Sequence, residues 1–286
     1  MYKSRELLHA NTMDNIKQKQ NDTNVKNVVI VGASSGIGYE IALRLLSQNC
    51  IVYNISRTHC LLEGVENFIA DISNTEEFNT AIDSIVNRVE HIDILIYAAA
   101  FSMASSVEYA KQKDYYYLMQ VNYFGAVQTV QKILPKMKEN GGRIFFISCS
   151  GAILPVAFDS FYSSSKAALN MLAKGLAVEL EPYSIEVCSV LPTSTATNFT
   201  YKRKLYTDDE NKEYAAKMKK ATTVLANMEQ NGLAASEVAK MVVSAIDQKH
   251  LPTFLHCGIR SKLFAVANRV LPTKAMHYIN KKIYKQ

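Results

Sequence analysis

Short apolar runs alternate with stretches of helical period along most of this 286-residue chain, and that alternation limits the fold more than any other feature. Runs at 28–31, 51–55, 68–70, 94–98, 144–147 and 187–191 are too short for helices and too continuous for strands with one wet face. Strands covered on both faces read this way, because both sides of the pleat are buried. Between them, residues 38–48, 76–89, 115–138 and 160–181 repeat apolar side chains every three or four positions. The alternation predicts an α/β architecture, a doubly wound parallel sheet flanked by helices. At about 150 residues per domain the length allows one large domain or two small ones. No linker or repeat divides 27–257, so one domain is expected there.

The segments outside this pattern read differently. Residues 1–26 are rich in Asn, Gln, Lys and Asp without a sustained apolar period, and are expected to be a disordered leader. Polar residues 193–232, with helical period at 213–228, follow a strand as a lid over a ligand crevice would. A helix at 236–248 is expected to start from Ser236 as N-cap. Two amphipathic helices broken at Pro272 are expected in 258–286.

Charge singles out that last segment. Arg260, Lys262, Arg269, Lys274, Lys281, Lys282 and Lys285 stand there with no Asp or Glu, so the tail carries +7. The whole chain carries only +6, so residues 1–259 sum to −1. The favoured reading is helices packed on their own subunit with solvated lysines; the sharper one is an anchor on an anionic membrane surface. No recognition motif accompanies the charge, so nucleic acid is not an expected partner. Five scattered cysteines without a C-x-x-C pair argue against a disulfide framework or a zinc site and fit a reducing cytoplasm. The longest strong apolar run, 94–101, is far short of a membrane span.

The first strand runs into Gly32-Ala33-Ser34-Ser35-Gly36-Ile37-Gly38 and then a helix. Glycines here let the backbone turn tightly and approach a pyrophosphate at the helix N-terminus. The second strand ends at Ser56-Arg57, where an NAD site would place a carboxylate for the ribose 2′-hydroxyl. Arg57 instead offers a planar cationic fork suited to a 2′-phosphate, so NADP(H) is the expected cofactor. Tyr162 and Lys166 stand at i and i+4 on one helix face. A close ammonium favours a phenolate, so the pair reads as an acid/base with a lowered tyrosine pKa.

These motifs, in this order, resemble the short-chain dehydrogenase/reductase family over about residues 27–200. The resemblance implies a Rossmann-type fold and the family's roles. Gly32, Ser34, Ser35, Gly36, Ile37 and Gly38 would form the glycine turn. Asp71 and Ile72 would meet the adenine, with Ala98 and Ala99 along the cofactor. Pro192 and Thr197 would contact the nicotinamide amide. Tyr162 would be general acid in reduction and general base in oxidation. Lys166 would bind the nicotinamide ribose, and Asn122 would hold a proton-carrying water. A homodimer or homotetramer is also implied.

Two departures bear on the site. The family's Asn-Asn-Ala-Gly reads Tyr97-Ala98-Ala99-Ala100, which removes a stabilising side-chain amide. The substrate-polarising serine falls by ungapped counting on Cys149, a weaker donor, flanked by Ser148 and Ser150. Ser150 is the preferred candidate, because it begins the loop after the strand. Cys149, Leu154, Phe158 and Phe199 are expected to flank an apolar substrate, a steroid-, bile-acid- or lipid-like ketone or alcohol. The rival reading is a nucleotide-binding scaffold or redox-sensing regulator that kept the fold without the chemistry.

Overall fold

The computed structural model describes residues 25–284. The leader expected at 1–26 therefore lies almost wholly outside the described residues. Seven parallel strands form one sheet: β1 (Asn27–Val31), β2 (Ile51–Ser56), β3 (Val65–Ile69), β4 (Ile94–Tyr97), β5 (Gly142–Ile147), β6 (Ile185–Pro192) and β7 (Phe254–Cys257). Their order across the sheet is β7-β6-β5-β4-β1-β2-β3. The chain winds outward from β1 in both directions, the doubly wound arrangement expected. β7 is the strand the apolar pattern missed, because only Cys257 of its four residues is fully buried.

Helices cover both faces: α1 (Gly36–Ser47), α2 (Thr75–Val86), α3 (Gln112–Met119), α4 (Gly125–Ile133), α5 (Ser160–Glu179), α6 (Ala215–Gln230) and α7 (Ala235–Ile246). The period of two along β1 divides its residues between two cores. Val29 and Val31 meet Phe78, Ile82, Val130 and Leu169 from α2, α4 and α5. Val28 and Ile30 meet Ile41, Leu45, Val238 and Val242 from α1 and α7. Two further helices, α8 (Ile259–Val270) and α9 (Thr273–Ile283), follow β7 and are separated at Pro272.

Two local expectations are corrected. Helix α7 starts at Ala235, one residue before the expected cap, and the Glu237 carboxylate accepts the Ala234 N–H at 3.1 Å. Ser236 is inside the first turn, because a Glu at the third helical position can satisfy the same orphan donor. The helix expected at 115–138 is interrupted by a π-helical turn, Gln120–Phe124, between α3 and α4. It ends at Ile133, before a 3-10 turn containing Pro135, which has no N–H to continue the ladder.

Candidate active site

A cavity of about 800 Å³ opens at the C-terminal ends of β1 and β4, where the strand order reverses. Gly32, Ser34, Ser35, Gly36, Ile37, Gly38, Ser56, Arg57, Asp71, Ile72, Ala98, Ala99, Tyr162, Lys166, Pro192 and Thr197 all line it. The sequence places these residues far apart, and the sheet brings them to one wall.

The glycine turn is shaped by contact. A Cβ on Gly32 (φ +99°) would stand 2.7 Å from the Ala99 nitrogen, and one on Gly38 would stand 2.3 Å from the Gly32 oxygen. The buried Asn54 carboxamide accepts the Ala33 N–H at 2.9 Å and donates to Ser56 and Asn67, locking the turn onto β2. Ser35 is the N-cap of α1, yet its side chain makes no cap hydrogen bond. The first N–H groups of α1 therefore face the cavity without a side-chain acceptor, as a phosphate requires. At the far end, Arg57 Nη1 donates to the Tyr117 hydroxyl at 3.0 Å, and one Asp71 oxygen accepts from the N–H and hydroxyl of Ser73. Open helix N–H groups, a close-approach turn and a terminal guanidinium together fit a dinucleotide.

The opposite end holds Tyr162 and Lys166. Lys166 is 1% exposed and donates from Nζ to the Ile147 carbonyl at 2.8 Å; its Nζ lies 5.6 Å from the Tyr162 ring centroid. Burial lowers its pKa to about 8. Tyr162 moves the other way from the expected phenolate. Burial holds its pKa well above the usual value near 10, and the neighbouring Cys149, Asp159 and Glu229 add to the rise. Removal of the phenol from water disfavours its phenolate form.

Ser148, Cys149 and Ser150 all line the cavity with Tyr162, and of the three Cys149 is the one that adds to the rise in the phenol's pKa. Cys149 keeps an extended backbone (φ −162°, ψ 167°) two residues beyond the end of β5, whereas Ser150 begins a 3-10 turn. Ser148 is turned away, its hydroxyl donating to the Lys166 carbonyl at 3.3 Å. Burial raises the Cys149 thiol's pKa, with Lys166 lowering it in part, so the group remains a neutral thiol at neutral pH.

Asn122 is fully buried in the π-turn, behind the cavity wall. Its Oδ1 accepts the Phe101 N–H at 2.7 Å, and its Nδ2 donates to the Phe101 carbonyl and the Ser165 hydroxyl, each at 2.9 Å. Both amide protons are therefore engaged with protein. The side chain ties the loop after β4 to α5, one residue from Lys166. The Tyr97 hydroxyl donates to the Val121 carbonyl at 2.5 Å, and a Cβ on Gly125 would stand 2.4 Å from that hydroxyl oxygen.

Beside Tyr162 lies an acidic cluster that spacing did not reveal. Asp159, the α5 N-cap residue, makes no cap hydrogen bond and instead accepts from the Ser102 hydroxyl at 3.2 and 3.4 Å. Burial raises its pKa to about 7, against the pull of Arg203. Arg203 is buried too, 2.6 Å from Glu229, and donates from Nε to Ser102. Asp159 and Glu229 line the cavity. The signal was a charged residue three positions before Tyr162, indistinguishable in sequence from an ordinary cap.

Leu154 and Phe199 line the substrate end, where the Phe199 ring lies 5.6 Å from that of Tyr162. Phe158 does not join them. With φ at +64° it points toward Tyr214, whose ring lies 6.2 Å away. Ile283 and Tyr284 complete the wall instead, seated on Val156 and Leu225.

A doubly wound sheet with a Tyr–Lys pair beside a dinucleotide-shaped crevice is an oxidoreductase architecture that binds a nicotinamide cofactor. The chain belongs to the short-chain dehydrogenase family, whose sequence model matches residues 26–207. It is 30% identical over 255 residues to a 3-ketodihydrosphingosine reductase of Bacteroides thetaiotaomicron, covering 88% of this chain and 95% of the relative. A short-chain dehydrogenase from Streptomyces avermitilis superposes with TM-score 0.76 at 23% identity, over 92% of this chain and 98% of that one. One from Burkholderia cenocepacia, solved in complex with NADP, gives TM-score 0.72 at 23% identity, over 89% and 97%.

Proposed function

We propose that the protein is an NADP(H)-dependent reductase that converts a ketone on a lipid-like substrate to the secondary alcohol. The observation that carries this reading is the grouping of Tyr162, Cys149 and Lys166 at one end of a cavity whose other end holds Arg57. When bound, the nicotinamide supplies the hydride. A phenol kept protonated by burial suits Tyr162 as the acid that hands its proton to the carbonyl oxygen. Lys166, fixed by the Ile147 carbonyl, keeps two N–H protons for the nicotinamide ribose and stabilises the phenolate that forms. Asn122 positions both through Phe101 and Ser165. The carbonyl-facing donor is assigned to Cys149, because it lines the cavity with Tyr162 and bears directly on the phenol's pKa, whereas the Ser148 hydroxyl is engaged with the Lys166 carbonyl. Arg57 recognises the 2′-phosphate, and the NADP complex of the Burkholderia relative is in keeping with that choice.

Leu154, Val156, Phe199, Leu225 and Tyr284 give the substrate end an apolar lining, which supports a lipid-like rather than a sugar-like substrate. The Bacteroides relative's name points to long-chain 3-keto bases as the first compounds to try. Exposed Tyr116, Phe124, Met171 and Val178 on and beside α3, α4 and α5 support a homo-oligomer. Five free cysteines support a reducing, cytoplasmic setting. Among the described residues no helix is long and apolar enough to cross a membrane.

The test is NADPH oxidation against 3-keto sphingoid bases, ketosteroids and acyl ketones. Wild type is expected to consume NADPH, and Tyr162→Phe none. Arg57→Ala should raise the KM for NADPH about tenfold, a loss of about 1.4 kcal/mol, while leaving NADH unaffected. Cys149→Ala should slow turnover, Cys149→Ser should restore or exceed it, and Ser150→Ala should change little. Loss of activity in Ser150→Ala alone would return the polarising role to Ser150. NADPH bound but never consumed would favour the regulator reading.

A further inference from the structure

Helix α8 exposes the side that an amphipathic helix normally buries. Ile259, Leu263, Val266 and Val270 are 72%, 59%, 62% and 73% exposed. At 100° per residue these positions, i, i+4, i+7 and i+11, fall within an arc of about 60°. They form one continuous apolar stripe along the outer side of the helix. Exposed Lys262 and Arg269 lie along one flank of the stripe, and exposed Arg260 along the other. The next helix continues the pattern, presenting exposed Lys274, Tyr278 and Lys281 on one face.

Charge decides what could cover this surface. The segment from Arg260 onward carries seven cations and no Asp or Glu, while the rest of the chain sums to −1. A second copy docked through the same stripe about a two-fold axis would bring two such segments together, and like charges oppose that contact. An anionic lipid surface answers both features, since acyl chains take the stripe and phosphate headgroups take the flanking cations. Twelve residues cannot span a bilayer, which needs about 20, so the helix would lie in the plane of the interface. The side of α8 next to the stripe contributes Arg260 and Phe264 to the wall of the cavity. A bilayer seated on the stripe would therefore adjoin the mouth of the site.

We propose that α8, with the basic face of α9, docks the protein on an anionic lipid bilayer beside the opening of its cavity. The docking is read by sedimentation and so stands or falls independently of the substrate assignment. The full-length protein is mixed with vesicles of phosphatidylcholine alone or with 30% phosphatidylglycerol, a fraction set roughly to mimic an anionic leaflet. Wild type should sediment with the anionic vesicles, bind neutral ones at least tenfold more weakly, and be released at 0.5 M salt, where screening is on the order of a few ångströms. Leu263→Asn with Val266→Asn, and separately Lys262→Gln with Arg269→Gln, should each weaken binding about tenfold while circular dichroism and NADPH binding stay unchanged. Equal binding to both vesicle types, or anionic binding untouched by either double variant, would overturn the proposal. So would a wild-type oligomer that ignores vesicles and dissociates in Leu263→Asn with Val266→Asn, which would make a second copy the occupant.

Discussion

At the scale of single residues the site is governed by burial more than by pairing. Asp159 lies at 2% exposure with a hydroxyl as its hydrogen-bond donor, while the nearest cation, Arg203, is engaged with Glu229. Its pKa is raised to about 7, so the folded protein holds a proton there that the unfolded chain releases near the usual carboxylate value. Folding then takes up a proton, and stability falls as pH rises from about 4 to about 7. Asp159→Asn keeps an oxygen for Ser102 and leaves Arg203 and Glu229 as a balanced pair. Its thermal unfolding curve should be flatter over that pH range, with a midpoint several degrees above wild type at pH 8. Parallel curves for the two proteins would show that Asp159 ionises normally.

Among the elements, the break between α3 and α4 does most to set the site. The Tyr97 hydroxyl holds the Val121 carbonyl, and Asn122 in the next position is bound to both main-chain groups of Phe101. These contacts draw two successive residues away from the regular helical ladder and pin the π-turn to β4, a recurrent place for functional residues. Tyr97→Phe keeps the ring and removes this buried hydrogen bond, at a cost of about 0.5–1.5 kcal/mol. The unfolding free energy from denaturant titration should fall by that amount, lowering the midpoint at unchanged m, and kcat should drop with KM nearly constant, because the turn positions α5 rather than binding substrate. An unchanged midpoint would mean the hydroxyl contributes nothing to the turn.

For the molecule as a whole, the C-terminus closes what the sheet opens. Asn280 donates to the Pro155 carbonyl at 2.7 Å across 125 residues of sequence, and Tyr284 packs with Val156, Ala221 and Leu225. The substrate end of the cavity is thus completed by the last helix of the described chain, while the cofactor end is built from β1, β2 and their loops. Tyr284→Ala should raise the KM for a long-chain ketone at least severalfold and leave NADPH affinity within about twofold, an effect of under 0.5 kcal/mol. Equal losses in both would show that α9 stabilises the whole fold instead of shaping one wall.

The sequence alone determined six of the seven strands and the residues that gather at the glycine-turn end of the cavity, because those rest on local chemistry. Apolar runs report strands buried on both faces. A glycine turn with no room for a Cβ and a strand ending in Arg57 are also written in consecutive residues. The same holds for Tyr162 and Lys166, one turn apart on a helix. Only the tertiary structure decided that Phe158 turns toward Tyr214, since that depends on how a loop bends. It alone assembled Asp159, Arg203 and Glu229, and joined the Tyr97 hydroxyl to the Val121 carbonyl. It also raised the tyrosine's pKa where spacing predicted a fall, because desolvation is set by all the atoms around a group and spacing by only one of them.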